Sequence, residues 1–170
     1  MKNKDEIRKL AYAARKSLTP IQIEEYSNII FDKLKPFIEN KTICAYMPTK
    51  YEVQLPSIDN AAYPSILQNN NMNAYRSNKF ILNKYNILEP DINTSVEVDD
   101  FDVILVPLVA FDNKCNRLGH GKGYYDRFLT NKKGLKIGLA YEIQRFDDIP
   151  TEKNDIKLDY IITESNIYKA

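Results

Sequence analysis

Residues 101–107 read Phe101-Asp102-Val103-Ile104-Leu105-Val106-Pro107, a continuous apolar run typical of a strand covered on both faces. Val109-Ala110-Phe111-Asp112 and a polar, glycine-bearing loop follow, and the pattern then predicts a helix from about Gly123 to Lys132. Leu135 to Tyr141 reads as another buried strand, and Leu158 to Thr163 as a last one. Strands alternating with helices predict an α/β sheet with helices on both faces. Ligands of such sheets sit outside the carboxyl ends of the strands, and the loop at 112–124 follows one of those ends.

Upstream, Ile7, Leu10, Ala11, Ala14 and Leu18 recur at helical spacing and predict an amphipathic helix over 3–18. Its opposite face carries Lys4 and Arg8, one turn apart. Thr19-Pro20-Ile21-Gln22 matches a capping box with proline at the first helical position. The helix it opens should reach Phe37, bending or ending near Pro36. Thr42 to Met47, closed by Pro48, reads as a buried strand. Pro56 to Gln68 predicts a modest helix interrupted at Pro64, Asn73 to Arg76 a strand, Phe80 to Leu88 edge strands or a hairpin, and 89–99 a loop. No repeat, linker or low-complexity tail divides the chain, so residues 1–170 are expected to form one domain.

Composition narrows the function classes. Lys and Arg number 24 against 23 Asp and Glu, a formal charge of +1 that argues against a nucleic-acid partner. No apolar run approaches the roughly 20 residues of a membrane span, and the charged start MKNKDEIRKL lacks a signal-peptide core. A membrane partner is therefore not expected. Cys44 and Cys115 are too few for a disulfide scaffold and fit a reducing, cytoplasmic setting. Glycine is scarce, yet three of the 5 glycines, Gly119, Gly121 and Gly123, share one short loop.

That loop, Arg117-Leu118-Gly119-His120-Gly121-Lys122-Gly123-Tyr124-Tyr125-Asp126-Arg127, has the chemistry of a polyphosphate cradle. Alternating glycines let backbone N–H groups approach an anion, and the loop runs into the start of a helix. Arg117, Lys122 and His120 add side-chain cations. Neither G-x-x-x-x-G-K-[ST] nor G-x-G-x-x-G is present, and a tight turn with solvated charges is the plainer alternative. Asp126 stands where a magnesium ion on the phosphates would need an oxygen ligand, or is simply a carboxylate at a helix start. Tyr124 and Tyr125 either flank a planar ligand or pack inward. His120 is the single histidine; metal-ligand spacings of His and Cys and a G-x-S-x-G elbow are both missing from the sequence. Chemistry driven by positioning and charge neutralisation, as in phosphoryl transfer, suits this inventory.

PLVAFDNKCNRLGHGKGYYDRFL, residues 107–129, resembles the P-L-x-x-F-D…x-R-L-G-x-G-x-G-Y-Y-D pattern of the 5-formyltetrahydrofolate cyclo-ligase (5,10-methenyltetrahydrofolate synthetase) family. Lys4-x-x-x-Arg8 with Arg15-x-x-Leu18, Tyr46-Met47-Pro48 leading to Glu52-Val53, and the tail from Asn154-Asp155 to Thr163-Glu164 are similar to that family in the same order. The resemblance implies a Rossmann-like three-layer α/β/α sandwich with a mostly parallel sheet. It also implies ATP- and Mg2+-dependent closure of 5-formyltetrahydrofolate to 5,10-methenyltetrahydrofolate, through a phosphorylated formyl group, with release of ADP and phosphate. On that resemblance, Lys4 and Arg8 hold ATP phosphates, and Arg117, Leu118, Gly119, His120, Gly121, Lys122, Gly123, Tyr124 and Tyr125 form the nucleotide loop. Lys122, Arg117 and Asp126 are the implied catalytic residues, and Asp126 and Asp155 the magnesium ligands. Met47 and Glu52 would line the folate site, with His120, Gly121, Lys122, Gly123 and Tyr124 touching both substrates. Arg76 stands where the family carries a basic substrate contact, although Asn73-Ala74-Tyr75 before it departs from the family's apolar strand. A monomer is expected. A non-catalytic nucleotide- or folate-binding module and a phosphosugar enzyme are the competing readings of the same loop.

Overall fold

The computed structural model describes residues 2–170. Two helices come first, α1 (Lys4–Lys16) and α2 (Pro20–Ile38). Nine strands follow: β1 (Ile43–Cys44), β2 (Tyr63–Ile66), β3 (Met72–Arg76), β4 (Phe80–Leu82), β5 (Leu88–Pro90), β6 (Val96–Val98), β7 (Val103–Pro107), β8 (Ala110–Phe111) and β9 (Arg117–Leu118). The chain ends with α3 (Tyr124–Leu129), β10 (Leu135–Leu139), β11 (Tyr160–Ile162) and β12 (Ile167–Lys169).

The apolar run at 103–107 becomes the second strand of a five-stranded sheet ordered β1-β7-β10-β11-β12, parallel except for β12. Strand residues alternate between two cores, as a period of two demands. Val103, Leu105, Ile137, Leu139 and Ile162 meet Ile23, Ile30 and Leu34 of α2 on one face. Cys44, Ile104, Val106 and Ile161 meet Phe128 and Leu129 of α3, together with Met72 and Ala74 of β3, on the other. The fold is thus a mixed α/β architecture around a mostly parallel sheet. Its second outer layer combines the short α3 with the antiparallel sheet β2-β3-β6. Helix α1 lies against the hairpin β8–β9, where Ile7 and Ala11 pack on Val109, Ala110, Leu118 and Ile149.

Both long helices begin at capping boxes. Asn3 accepts from the Asp5 and Glu6 amides while Glu6 accepts from the Asn3 amide, and Thr19 and Gln22 repeat the arrangement on α2. Helix α2 runs past Pro36 to Ile38, because a proline so near the end forfeits a single ladder hydrogen bond. On α1 the buried side includes Arg15, which donates to the Leu108 carbonyl, while Leu10 is 46% exposed.

Four segments depart from the sequence-based expectations. Residues 56–68 form no helix; Ala62 bridges to Cys44, and 63–66 then continue as β2. Pro64 is tolerated there because β2 is an edge strand. The expected loop at 89–99 contains the end of β5 and all of β6, each three residues long and half-exposed, too short to show a period. Helix α3 stops at Leu129, six residues after Gly123. Strand β12 closes the sheet edge from a tail with no strand signal of its own. Among the described residues no helix is long and apolar enough to cross a membrane.

Candidate active site

The carboxyl ends of β1 and β7 open onto a cleft of about 720 Å³, with Tyr46 and Met47 beyond β1 and Pro107 at the end of β7. The loop from Arg117 to Asp126 lines it throughout. Asp112 anchors the start of that loop: fully buried, it accepts from the amides of Lys114, Asn116 and Ile149 and from Asn116 Nδ2. Gly121 (φ +93°) and Gly123 (φ +68°) occupy the left-handed region, which glycine enters without a steric cost. A Cβ on Gly121 would also sit 3.4 Å from Arg8 Cζ, so the loop passes close beneath the α1 guanidinium.

Cations converge on this loop from two directions. Arg8 Nε donates to the Gly119 carbonyl at 3.0 Å, and its Nη1 pairs with Asp5 at 2.6 Å. Lys4 Nζ pairs with Asp155 at 2.6 Å and with Glu152 at 3.1 Å. Burial works against the Lys4 charge, but those hydrogen bonds outweigh it and raise its pKa above the ordinary lysine value. Arg117 is buried and pairs with Asp126 at 2.7 Å. Burial lowers its pKa below the ordinary arginine value, against the pull of the Asp126 carboxylate. Its Nε is buried without a hydrogen-bond partner, a cost that an incoming anion would remove. Lys122 lines the cleft from an exposed position.

Asp126 and Asp155 each meet a cation through one oxygen, Oδ1 of Asp126 and Oδ2 of Asp155. Among the described residues no group of three or more His, Cys, Asp or Glu forms a metal cage. Two carboxylates beside the cationic glycine loop nevertheless match the donor set magnesium uses when substrate phosphates and water complete its shell.

A second group of residues surrounds Glu52. Its Oε2 accepts from the Thr49 amide at 2.8 Å and its Oε1 faces His120 Nε2 at 3.2 Å. His120 Nδ1 meets the Tyr12 hydroxyl of α1 at 2.6 Å, completing a chain Tyr12–His120–Glu52 across the cleft. Burial would raise the Glu52 pKa, but the His120 and Thr49 hydrogen bonds dominate and leave it lowered. The segment carrying Glu52 is tied down by the Tyr141 hydroxyl on the Glu52 carbonyl, the Tyr46 hydroxyl on that of Val53, and Ser27 Oγ on the Gln54 amide.

The cleft therefore brings Lys4, Arg8, Met47, Glu52, Asp155 and the whole loop from Arg117 to Asp126 together. Within that loop Leu118 packs its side chain on the α1 core, and the Tyr125 ring lies edge-on to Phe128. Tyr124 stays at the cleft and meets the Tyr85 hydroxyl at 3.0 Å. Arg76 is not among the cleft residues; it lines an adjoining one. Tyr12, Tyr85, Ile87 and the wall of Pro64, Ile66 and Met72 escape sequence reasoning, because separate elements carry them and no local motif marks them.

Comparison with known proteins identifies this arrangement. The model of the 5-formyltetrahydrofolate cyclo-ligase family matches residues 1–164. The chain belongs to this family. It is 34% identical to 5-formyltetrahydrofolate cyclo-ligase of Mycoplasma genitalium, covering 95% of this chain and 98% of that protein. The NMR structure of Aquifex aeolicus 5,10-methenyltetrahydrofolate synthetase superposes with a TM-score of 0.84 at 34% identity, covering 98% of this chain and 92% of the other. A Mycoplasma pneumoniae 5,10-methenyltetrahydrofolate synthetase superposes at 0.76 with 29% identity, over 96% and 99% of the two chains. As a cyclo-ligase family member the chain is an enzyme of folate one-carbon metabolism.

Proposed function

We propose that this chain closes 5-formyltetrahydrofolate to 5,10-methenyltetrahydrofolate at the expense of ATP, in the cleft between α1 and the 117–126 loop. The observation that carries this is the chemical division of one cleft. Lys4, Arg8, Lys122 and the unpartnered Arg117 Nε suit a polyphosphate, while Glu52, His120, Met47 and Tyr46 suit a flat, hydrogen-bonding heterocycle. The loop from Gly119 to Tyr124 touches both groups.

In this reading the formyl oxygen attacks the γ-phosphorus and ADP leaves. N10 then adds to the formyl carbon and loses its proton, and phosphate departs with the electrons of the C–O bond, giving the methenyl cation. Arg117 and Lys122 offset the charge that spreads over the phosphoryl oxygens, the interaction that matters most in such transfers. Gly121 and Gly123 keep the loop backbone open to the phosphates. Ionised Glu52 accepts hydrogen bonds from the pterin N–H groups. Asp126 and Asp155 would hold magnesium, which neutralises phosphate charge when bound. The buried free thiols of Cys44 and Cys115 suit a reducing, cytoplasmic setting.

The test is a near-ultraviolet assay for methenyltetrahydrofolate with purified protein, 5-formyltetrahydrofolate, magnesium and ATP. Product that requires both ATP and magnesium is expected. Lys122→Ala and Asp126→Asn should lower kcat at least a hundredfold with an unchanged circular dichroism spectrum. Binding of both substrates without product would reduce the chain to a ligand-binding module, and full activity in both variants would remove these residues from the site.

A further inference from the structure

Along α1, Lys4, Arg8 and Tyr12 stand one turn apart and share a face. Lys4 and Arg8 line the main cleft; Tyr12 is not among its lining residues, and its hydroxyl meets His120 Nδ1 at 2.6 Å instead. The two rings lie 5.9 Å apart, and the Arg15 guanidinium sits 5.5 Å from the centre of the Tyr12 ring. His120 is exposed and flanked by Gly119 and Gly121, the latter at φ +93°, so its own loop does little to orient the imidazole. On the far side of that ring, Nε2 faces Glu52 Oε1 at 3.2 Å. Glu52 is buried with its pKa below the ordinary value, and an ionised carboxylate only accepts, so Nε2 carries the proton. A neutral imidazole has one N–H, which leaves Nδ1 an acceptor and makes the Tyr12 hydroxyl the donor. The chain of hydrogen bonds therefore runs one way, from Tyr12 through His120 to Glu52.

We propose that Tyr12 is a positioning residue for the folate site: its hydroxyl fixes the ring and tautomer of His120, and His120 in turn holds the Glu52 carboxylate toward the pterin. The inference rests on the proposed folate reaction, in which Glu52 accepts from the pterin N–H groups. His120 on Oε1 and the Thr49 amide on Oε2 take one lone pair of each oxygen and leave one on each for the ligand. Without the Tyr12 hydroxyl, Nδ1 loses its donor and the ring turns more freely between its two glycines. Nε2 then meets Glu52 for less of the time. One turn earlier, Arg8 Nε holds the Gly119 carbonyl, so α1 grips this loop by its backbone and by its side chain. Because Tyr12 does not line the cleft, its effect reaches the substrate through His120.

Steady-state kinetics of wild type, Tyr12→Phe, His120→Ala and the double variant test this. For 5-formyltetrahydrofolate, the KM of Tyr12→Phe should rise about fivefold, the loss of one hydrogen bond, with the KM for ATP unmoved. On the His120→Ala background the same substitution should have little further effect, because the hydroxyl then has nothing to act through. An unchanged KM in Tyr12→Phe, or an equal rise on both backgrounds, would overturn the assignment; the second result would make Tyr12 a packing residue. His120 is the single histidine, so NMR of labelled imidazole nitrogens reports its ring directly. At about pH 9 the Nε2-protonated tautomer is expected, with an Nδ1 signal that shifts in Tyr12→Phe. Burial raises the Tyr12 pKa above its ordinary value, so the phenol keeps its proton there. An Nδ1-protonated ring in wild type, or an Nδ1 signal indifferent to the substitution, would also overturn the proposal. If wild type makes no product, it is the reaction that fails. Calorimetric binding of 5-formyltetrahydrofolate without ATP then decides Tyr12: about fivefold weaker binding to Tyr12→Phe supports the proposal, and equal or undetectable binding ends it.

Discussion

Burial alone would raise the pKa of Glu52, yet the hydrogen bonds from His120 and the Thr49 amide outweigh it and leave the pKa below the ordinary 4.5. A carboxyl lowered in the folded state contributes stability that is complete above its unfolded pKa and disappears as pH falls through the folded one. Glu52→Gln should therefore be less stable than wild type at neutral pH, with the gap narrowing below pH 4.5 in paired urea titrations. On the proposed function, the same variant should raise the KM for 5-formyltetrahydrofolate about tenfold, because an ionised acceptor for the pterin N–H groups is lost. The cysteines behave oppositely. Burial pushes Cys44 up to about 12 and Cys115 up to about 11, so both stay thiols at neutral pH. Neither should react with a thiol-specific reagent in the native protein, and both should react once it is unfolded; fast labelling of the native chain would contradict this packing.

Among the secondary elements, two glycines outside the 117–126 loop carry a steric demand that their local sequence does not announce. A Cβ on Gly134 would overlap the Phe101 carbonyl oxygen, where the start of β10 crosses the entry to β7. A Cβ on Gly138 would lie 2.6 Å from Leu158 Cδ1 and 2.7 Å from Leu108 Cδ2. Gly134→Ala meets backbone, which yields less readily than a side-chain end, and should cost about 1–3 kcal/mol in denaturant unfolding. Helices α1 and α2 are legible because capping boxes and apolar periods are written in consecutive residues. Strand β2 is not: residues 56–68 read as a modest helix interrupted at Pro64 until Ala62 is seen bridging to Cys44. The glycine loop is legible for the same reason as the helices, whereas Tyr12 and Tyr85 reach it from far along the chain.

Across the whole molecule, ligand binding should show as stability. The ion pairs Lys4–Asp155 and Arg117–Asp126 tie the N-terminal helix, the loop and the 152–156 segment together around the cleft. ATP with magnesium at about a hundred times Kd should add about 2.7 kcal/mol and raise Tm by roughly 5–10 °C. Omitting magnesium should shrink the shift, and Lys122→Ala should abolish most of it; thermal denaturation with and without each component measures all three.

The sequence by itself determined the alternation of strand and helix, the parallel core and the concentration of glycines and cationic side chains in one loop. Each of these is encoded in residues adjacent along the chain, where hydrophobic period, capping and glycine placement act locally. Tertiary structure decided the rest. Glu52 comes from one loop, His120 from another and Tyr12 from a helix, and they meet only when α1 docks on β8–β9. Likewise the sheet β2-β3-β6 places Arg76 beyond the main cleft by strand register. Long-range pairings of that kind depend on shape and burial summed over the whole fold, and no short stretch of sequence carries that information.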